Sequence, residues 1–416
     1  MKRDCSKWST ICHRCREDVT HLSSSMTLPS APSDPLLALP DTEPRVVWEG
    51  FFVVLPVYSG YASLFGLQHV VKRHLNIEDG ASSASTAFGL TVALLYACNF
   101  WARVLHRVVL SALHIRYRVL LAMTLMTLSM LVLAVPVMTC GSEDLSWAVL
   151  AYMLGGFSIG AFDPNFLSSI TPLGHRTKQV AISAIPVGIS TLLISSFFMM
   201  GPPLNLPPVF VYGFLTVELV VGMFVFSFRV PDGSERFDSQ AVGLDKLAYD
   251  LRSFRDWLPG VWSPTFAFGL DMFAIAAFSP GIALYIYDAP TLQVLPWLEI
   301  PTDSFFAMYS VFSMLGSIIG RNVSYKIVPR HPAVYLVLTL CGAWMLLSTV
   351  PLLAFASTFL IYLGDGLIYG SISRYIDSKV SGKFNLSAIT VWCILGDVGA
   401  VFGTLSINGI RNWIVG

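Results

Sequence analysis

The sequence predicts an all-α polytopic membrane protein with eleven transmembrane helices in a six-plus-five pseudo-repeat, N-terminus inside and C-terminus outside, as a facilitator-like bundle. Three observations lead there. The 416 residues are 54% hydrophobic and only 12% charged, whereas a soluble domain carries about a quarter charged residues. The apolar residues come in continuous runs of roughly 20, the length a helix needs to cross about 30 Å of hydrocarbon, without the alternation of barrel strands. With the N-terminus inside, all of the 26 Lys and Arg except Lys72, Arg73 and Arg411 fall on the inner side, as the positive-inside rule requires.

In chain order, residues 1–43 are polar and end in a Ser/Pro-rich run, and read as a disordered cytosolic tail. The tail lacks the apolar core of a cleaved signal. Cys12-His13-Arg14-Cys15 has CxxC spacing without a second half, so no zinc site is expected. The seven cysteines are scattered and only Cys140 falls on the far side, so no disulfide framework is implied. The spans lie near 47–69, 85–105, 117–138, 147–170, 179–200 and 207–228, forming the six-helix half of residues 44–228. A cytosolic loop, 229–259, follows. Its second half, Gly243 to Trp257, spaces leucines and aromatics as an amphipathic helix on the inner membrane face. The five-helix half, 260–416, holds spans near 260–287, 304–326, 332–350, 352–372 and 386–409, with only Pro351 marking the turn between the ninth and tenth. Formal net charge is zero, which suggests no nucleic-acid partner. No P-loop, GxSxG, HExxH or redox CxxC appears, so neither enzyme chemistry nor a cofactor or metal is expected.

Ionisable residues inside spans are functional candidates. Arg321 follows Gly320 near the inner end of the eighth span. Either it snorkels to the headgroups, or it faces a central cavity and pairs with an acid on another helix. Available acids are Asp163 beside Pro164 and Asn165, Glu218, Asp271, Asp365 in GDG and Asp397 in LGDVG. Each is a candidate for structural pairing or for contact with substrate or proton. The glycines around Asp365 and Asp397 favour close helix approach, so these acids should face the bundle. Pro186, and Pro280 with Gly281 in FSPG, are candidate gating hinges or static kinks. Tyr58, Tyr61, Phe278, Tyr285 and Tyr287 suit either stacking on a planar ligand or an interfacial aromatic belt.

Several segments resemble the equilibrative nucleoside transporter family. GDGLIYGSISRYIDSKV (364–380) with LSAITVWCILGDVGAVFGTL (386–405) is similar to its last two helices, and Gly320-Arg321 to its Gly-Arg in helix eight. Arg118 looks like the arginine opening helix three, FSPG like the Phe-Pro of helix seven, and Leu55-Pro56 like the Leu-Pro of helix one. The sequence departs from the family at Ser317, where an Asp is usual, at Val57-Tyr58 in place of Trp-Asn, and at Asp365 in place of Asn. The resemblance implies a carrier of nucleosides or nucleobases working by alternating access, facilitative or proton-coupled. Its partners are the small solute, the lipid bilayer and, in the coupled form, protons. Arg321 would contact the ligand, with Ser317, Pro56, Tyr58, Asp271, Phe278 and Asp365 around it, and Arg118, Asp163, Glu218 and Asp397 in structural or proton-coupling roles. Two alternatives stand beside it. One is a major-facilitator-type carrier of another small solute, a fold that normally has twelve helices, both ends inside, and a Gly/Asp/Arg-rich loop after helix two that ARVLHRVVLSALH does not match. The other is a non-transporting scaffold or receptor. The plasma membrane is the default location, an organelle membrane the alternative. The sequons at Asn322 and Asn385 both fall on the inner side.

Overall fold

A computed structural model describes residues 46–77, 83–110, 112–200, 204–231, 244–287, 289, 291–327 and 331–415. The expected tail with its Cys12–Cys15 pair, and loop residues 232–243, lie outside these. Helix α1 (Glu49–Gly66) contains Pro56 and continues as a short turn, Gln68–His74. α2 is Ser83–Val109, and α3 (Ile115–Val132) widens into a π-helical turn, Leu133–Thr139, around Pro136, where the missing N–H breaks the regular ladder. Asp144 starts α4 (Leu145–Ile170) by accepting the Ser146 N–H at 2.9 Å. That hydrogen bond holds its carboxyl below the usual carboxylate range. α5 is His175–Met200, and α6 is Pro208–Phe228, opening on a proline whose absent N–H has no partner to lose there.

The expected amphipathic helix is α7, Leu244–Arg252. It is pinned to the bundle: buried Asp250 accepts from Ser387 Oγ at 2.5 Å, and Tyr249 stacks on Phe384. α8 (Phe254–Ala277) breaks at Ser279, with φ −137° and ψ 98°, before a last turn, Ala283–Ile286. An antiparallel hairpin follows, β1 (Thr291–Leu295) and β2 (Leu298–Pro301), with Leu292 opposite Ile300. This corrects the all-α expectation. TLQVL alternates, burying Leu292 and Val294 on a small apolar cluster with Tyr287 and Phe305 and leaving polar residues out. α9 is Thr302–Ser324, α10 is Leu336–Leu346, α11 is Pro351–Lys379 and α12 is Asn385–Val415. The α10–α11 turn uses Thr349 at φ 57° ahead of Pro351.

Every expected span coincides with a helix, but the helices are not equivalent. Eight among the described residues are long and apolar enough to cross a bilayer by length and composition. α1, α9 and α10 are not among them; α10 with its leading turn covers only Pro332–Leu346. The chain is a multi-pass membrane protein, while eleven crossings and the orientation of the ends remain sequence expectations. α6 carries an exposed apolar face: Phe210, Phe214, Val217, Val221, Phe224 and Phe228 recur every three or four residues and are all exposed.

Helices α1–α6 pack chiefly on one another, as do α8–α12, and the two groups meet where α5 lies on α9 and where α12 lies on α2 and α4. Glycines set the spacing within the second group. A Cβ at Gly320 would sit 2.5 Å from the Leu363 carbonyl, and one at Gly366 2.5 Å from the Ser317 carbonyl. Only glycine allows α9 and α11 this approach, which brings Arg321 and Asp365 level.

Candidate functional site

Between the two helix groups lies a cavity of about 330 Å³. Tyr58 and Tyr61 of α1, Asn99 and Arg103 of α2, Asp163 of α4 and Pro186 of α5 line one side. Phe268 of α8, Ser317 and Arg321 of α9, Tyr362, Asp365 and Tyr369 of α11, and Cys393 and Asp397 of α12 line the other. Among the described residues its wall carries two guanidinium groups and three carboxyl groups.

Arg103 joins the two sides. Its Nη2 donates to Asp163 Oδ2 at 2.6 Å, and its Nε lies 3.1 Å from Asp397 Oδ2. Tyr58 donates its hydroxyl to Asp163 Oδ1 at 2.5 Å. Asn99, one turn before Arg103, accepts from Arg103 Nε at 3.0 Å and donates to Asp397 Oδ1 at 3.1 Å. Arg103 was counted from sequence as an inner-loop cation. The structure corrects this, because α2 runs on to Val109 and carries Arg103 more than a turn inside the helix, where it is buried.

Arg321 is held more loosely. Its Nη2 reaches Asp365 Oδ2 at 3.4 Å, an oxygen that also accepts from Ser317 Oγ at 3.4 Å. Its guanidinium lies 4.4 Å from the centre of the Tyr369 ring. Its Nη1 donates to the Ile182 carbonyl of α5 at 2.9 Å. That carbonyl is available because Pro186, four residues on, has no N–H to offer it. The proline expected as a hinge thus supplies a cross-group acceptor. Arg321 Nε is buried with no hydrogen-bond partner among the described residues.

Beyond the cavity, Lys178 of α5 is fully buried, with Nζ 2.8 and 2.9 Å from the Asp377 oxygens of α11. Asn385 also donates to Asp377 at 2.9 Å, and Gln179 donates to Asn322 at 3.0 Å. These contacts tie the groups together on the side of the α5 N-terminus. At the other end, Ser279 at the α8 break bonds Tyr309 at 2.5 Å, and its carbonyl accepts from Tyr362 at 3.1 Å.

No family model matches the sequence, and no curated protein matches it. Solved structures do match. The human organic anion transporter MFSD10 (TETRAN) aligns with TM-score 0.63 at 16% identity, over 90% of this chain and 96% of that one. The E. coli fucose:proton symporter FucP aligns with TM-score 0.61 at 13% identity, over 87% and 92%. A D-xylose-proton symporter aligns with TM-score 0.58 at 15% identity, over 86% and 87%. The fold is that of major facilitator superfamily transporters. At these identities the likeness is one of fold, and it follows the second sequence reading; nothing in it speaks for the equilibrative nucleoside transporter family specifically.

The expected site residues divide accordingly. Arg321, Ser317, Tyr58, Asp365, Asp163, Asp397, Pro186 and Tyr61 line the cavity. Pro56 does not; it packs against Gly222 of α6. Asp271 is buried behind the wall and accepts from Thr339 Oγ1 at 2.5 Å. Phe278 packs on the hairpin-side cluster with Tyr287, and Glu218 is half-buried on α6 outside the cavity. Arg118 donates to the Leu113 carbonyl at 2.8 Å, at the start of α3. Pro280 and Gly281 lie in the irregular turn of α8, whose backbone alone is described there, and the side chain of Tyr285 lies outside the described ones. Arg103, Asn99, Tyr96, Tyr362, Tyr369 and Cys393 are cavity residues the sequence reading missed. The Asn99/Arg103 spacing of one helical turn was the available signal.

Proposed function

We propose that this protein carries a small polar solute across a membrane by alternating access, with residues 44–228 and 260–416 rocking about the cavity. One observation carries the reading: the cavity wall is closed by polar contacts that join helices of different groups, Arg103 to Asp397 and Arg321 to the Ile182 carbonyl. Such contacts hold one state together and can be exchanged for contacts to a solute. The cavity sits at the lower end of the usual range of about 300–1,000 Å³ for small-molecule sites. Within this reading we favour a nucleoside or nucleobase. The Gly320-Arg321 and 364–405 resemblances support it, as do the tyrosines and Phe268 that line the cavity with the Arg321 guanidinium, which suit a flat, polar, uncharged solute. Arg321, with its unused Nε and its guanidinium over the Tyr369 ring, donates to the solute. Eleven crossings, with the N-terminus inside and the C-terminus outside, belong to the same proposal, with the plasma membrane as default location.

The test is uptake by a transport-deficient host expressing the chain at its surface. Radiolabelled adenosine, inosine and hypoxanthine are compared with fucose, xylose and an organic anion, the solutes named for the structural neighbours. Saturable purine uptake that Arg321→Ala lowers at least tenfold is expected. Uptake of a sugar or anion alone redirects the substrate and keeps the carrier. Surface protein that moves none of the six rejects both.

A further inference from the structure

Arg103 is shared between carboxylates of opposite helix groups, and the two are not equivalent. Asp163 is complete as an anion: one oxygen accepts the Tyr58 hydroxyl at 2.5 Å and the other the Arg103 Nη2 at 2.6 Å. Asp397 is not. Among the described residues its Oδ1 accepts only from the Asn99 amide, and its Oδ2 is 3.1 Å from Arg103 Nε without a hydrogen bond, because that N–H points at Asn99 Oδ1. Among the described residues Asp397 Oδ2 is a buried oxygen with no donor. Facing Asp397 are Arg103 and Asn99 on α2, Asp163 on α4, Tyr61 on α1 and Cys393 on its own helix. His106, also on α2, turns its Nδ1 to the Arg103 carbonyl at 2.9 Å. The other cavity charges, Arg321 and Asp365, are paired with each other; Asp271, buried outside the cavity lining, has the neutral Thr339 hydroxyl on one oxygen and no donor among the described residues on the other. Among the described residues of the cavity wall, one guanidinium therefore faces two carboxylates, and one negative charge lacks a counter-charge where burial makes that costly.

We propose that Asp397 is a proton-binding residue whose protonation at Oδ2 removes the charge that links Arg103 to the second helix group, so that one proton moves with each solute. This rests on the carrier reading above. The proton comes from solution reaching the cavity and leaves to solution on the opposite side; Arg103 keeps Asp163 throughout. Because the link is opened by loss of a charge and not of a side chain, loading the cavity with a neutral solute and a proton leaves each described charge of the cavity wall paired, Arg103 with Asp163 and Arg321 with Asp365.

The experiment has an arm that needs no solute. Infrared titration of the purified full-length chain reads the C=O stretch of a protonated carboxyl. A band that titrates in the wild type, is retained in Asp365→Asn and is missing in Asp397→Asn supports the proposal; the same spectrum in Asp397→Asn as in the wild type overturns it. Asp397→Glu, which moves the acid by one methylene, is expected to shift the midpoint, and an unmoved midpoint also overturns it. In proteoliposomes with an inward proton gradient, accumulation of inosine is expected to fall at least tenfold in Asp397→Asn while exchange of inosine at equal pH persists. Gradient-driven accumulation at the wild-type level overturns it, as does accumulation only of a cationic probe such as choline without proton movement, which assigns the missing charge to the solute. Failure of inosine uptake with a positive infrared result rejects the nucleoside reading and leaves Asp397 assigned.

Discussion

Two arginines reach the same cavity and are held in different ways. Arg103 is gripped by short ionic hydrogen bonds, 2.6 Å to Asp163, with Asp397 at 3.1 Å. Arg321 has one carboxylate at 3.4 Å, a main-chain carbonyl at 2.9 Å and the face of Tyr369. A guanidinium saturated by charge has little left to offer a ligand and serves as a strut or switch. One held by a long ion pair, a carbonyl and a ring keeps donor capacity and a flat face. The difference separates the coupling site from the recognition site within one cavity.

The comparison breaks first at Arg103. Arg103→Ala leaves Asp163 and Asp397 buried together, and removing one partner of a buried ion pair costs about 3–5 kcal/mol; a thermal-shift assay is expected to show the largest loss there. Arg321→Ala is expected to cost less in the same assay, about 2 kcal/mol, since Asp365 keeps Ser317 and its guanidinium contact was long. It should nonetheless lower uptake more than any other change in stable protein. If both substitutions destabilise equally, the strut-and-donor distinction is wrong. Arg321→Lys sharpens it: a lysine keeps the charge but lacks the planar fork of donors that lies over Tyr369, so uptake should stay low. Tyr58→Phe removes a hydrogen bond to an ionised acid and is expected to lower stability by about 1.5–2 kcal/mol. The smallest effect is expected from replacing Lys178 and Asp377 together by methionine. Exchanging a buried ion pair for apolar side chains is often neutral, within about 1 kcal/mol, so thermal stability should hold while cysteine accessibility in the cavity changes. A loss of stability as large as that of Arg103→Ala would show that this pair is a strut as well.

Part of this site was legible in the chain. Arg321, Asp163, Asp365 and Asp397 stand out because an ionisable residue within an apolar run has no cheap place to go except inward. Arg103 and Lys178 were hidden by the same logic that located the helices. Counting inner cations treats every Lys or Arg near a span end alike, and both were assigned to loops. Their acidic partners offer no local sign: Lys178 and Asp377 are 199 residues apart, and Arg103 and Asp163 60. Asp271 and Glu218 were equally conspicuous, yet one turns to Thr339 and the other sits half-buried on α6, outside the cavity lining.

What the sequence determined by itself is the membrane-spanning, helical character of the protein, the positions of its helices and most of its buried charges. Hydrocarbon imposes these one segment at a time, through length, apolarity and the cost of a stranded charge. Which charges meet, which proline frees the carbonyl that Arg321 takes, and the facilitator arrangement of the helices were decided only in the tertiary structure. Those depend on the rotation and spacing of helices far apart in the chain, where a glycine at 320 or 366 permits a contact that no run of neighbouring residues encodes.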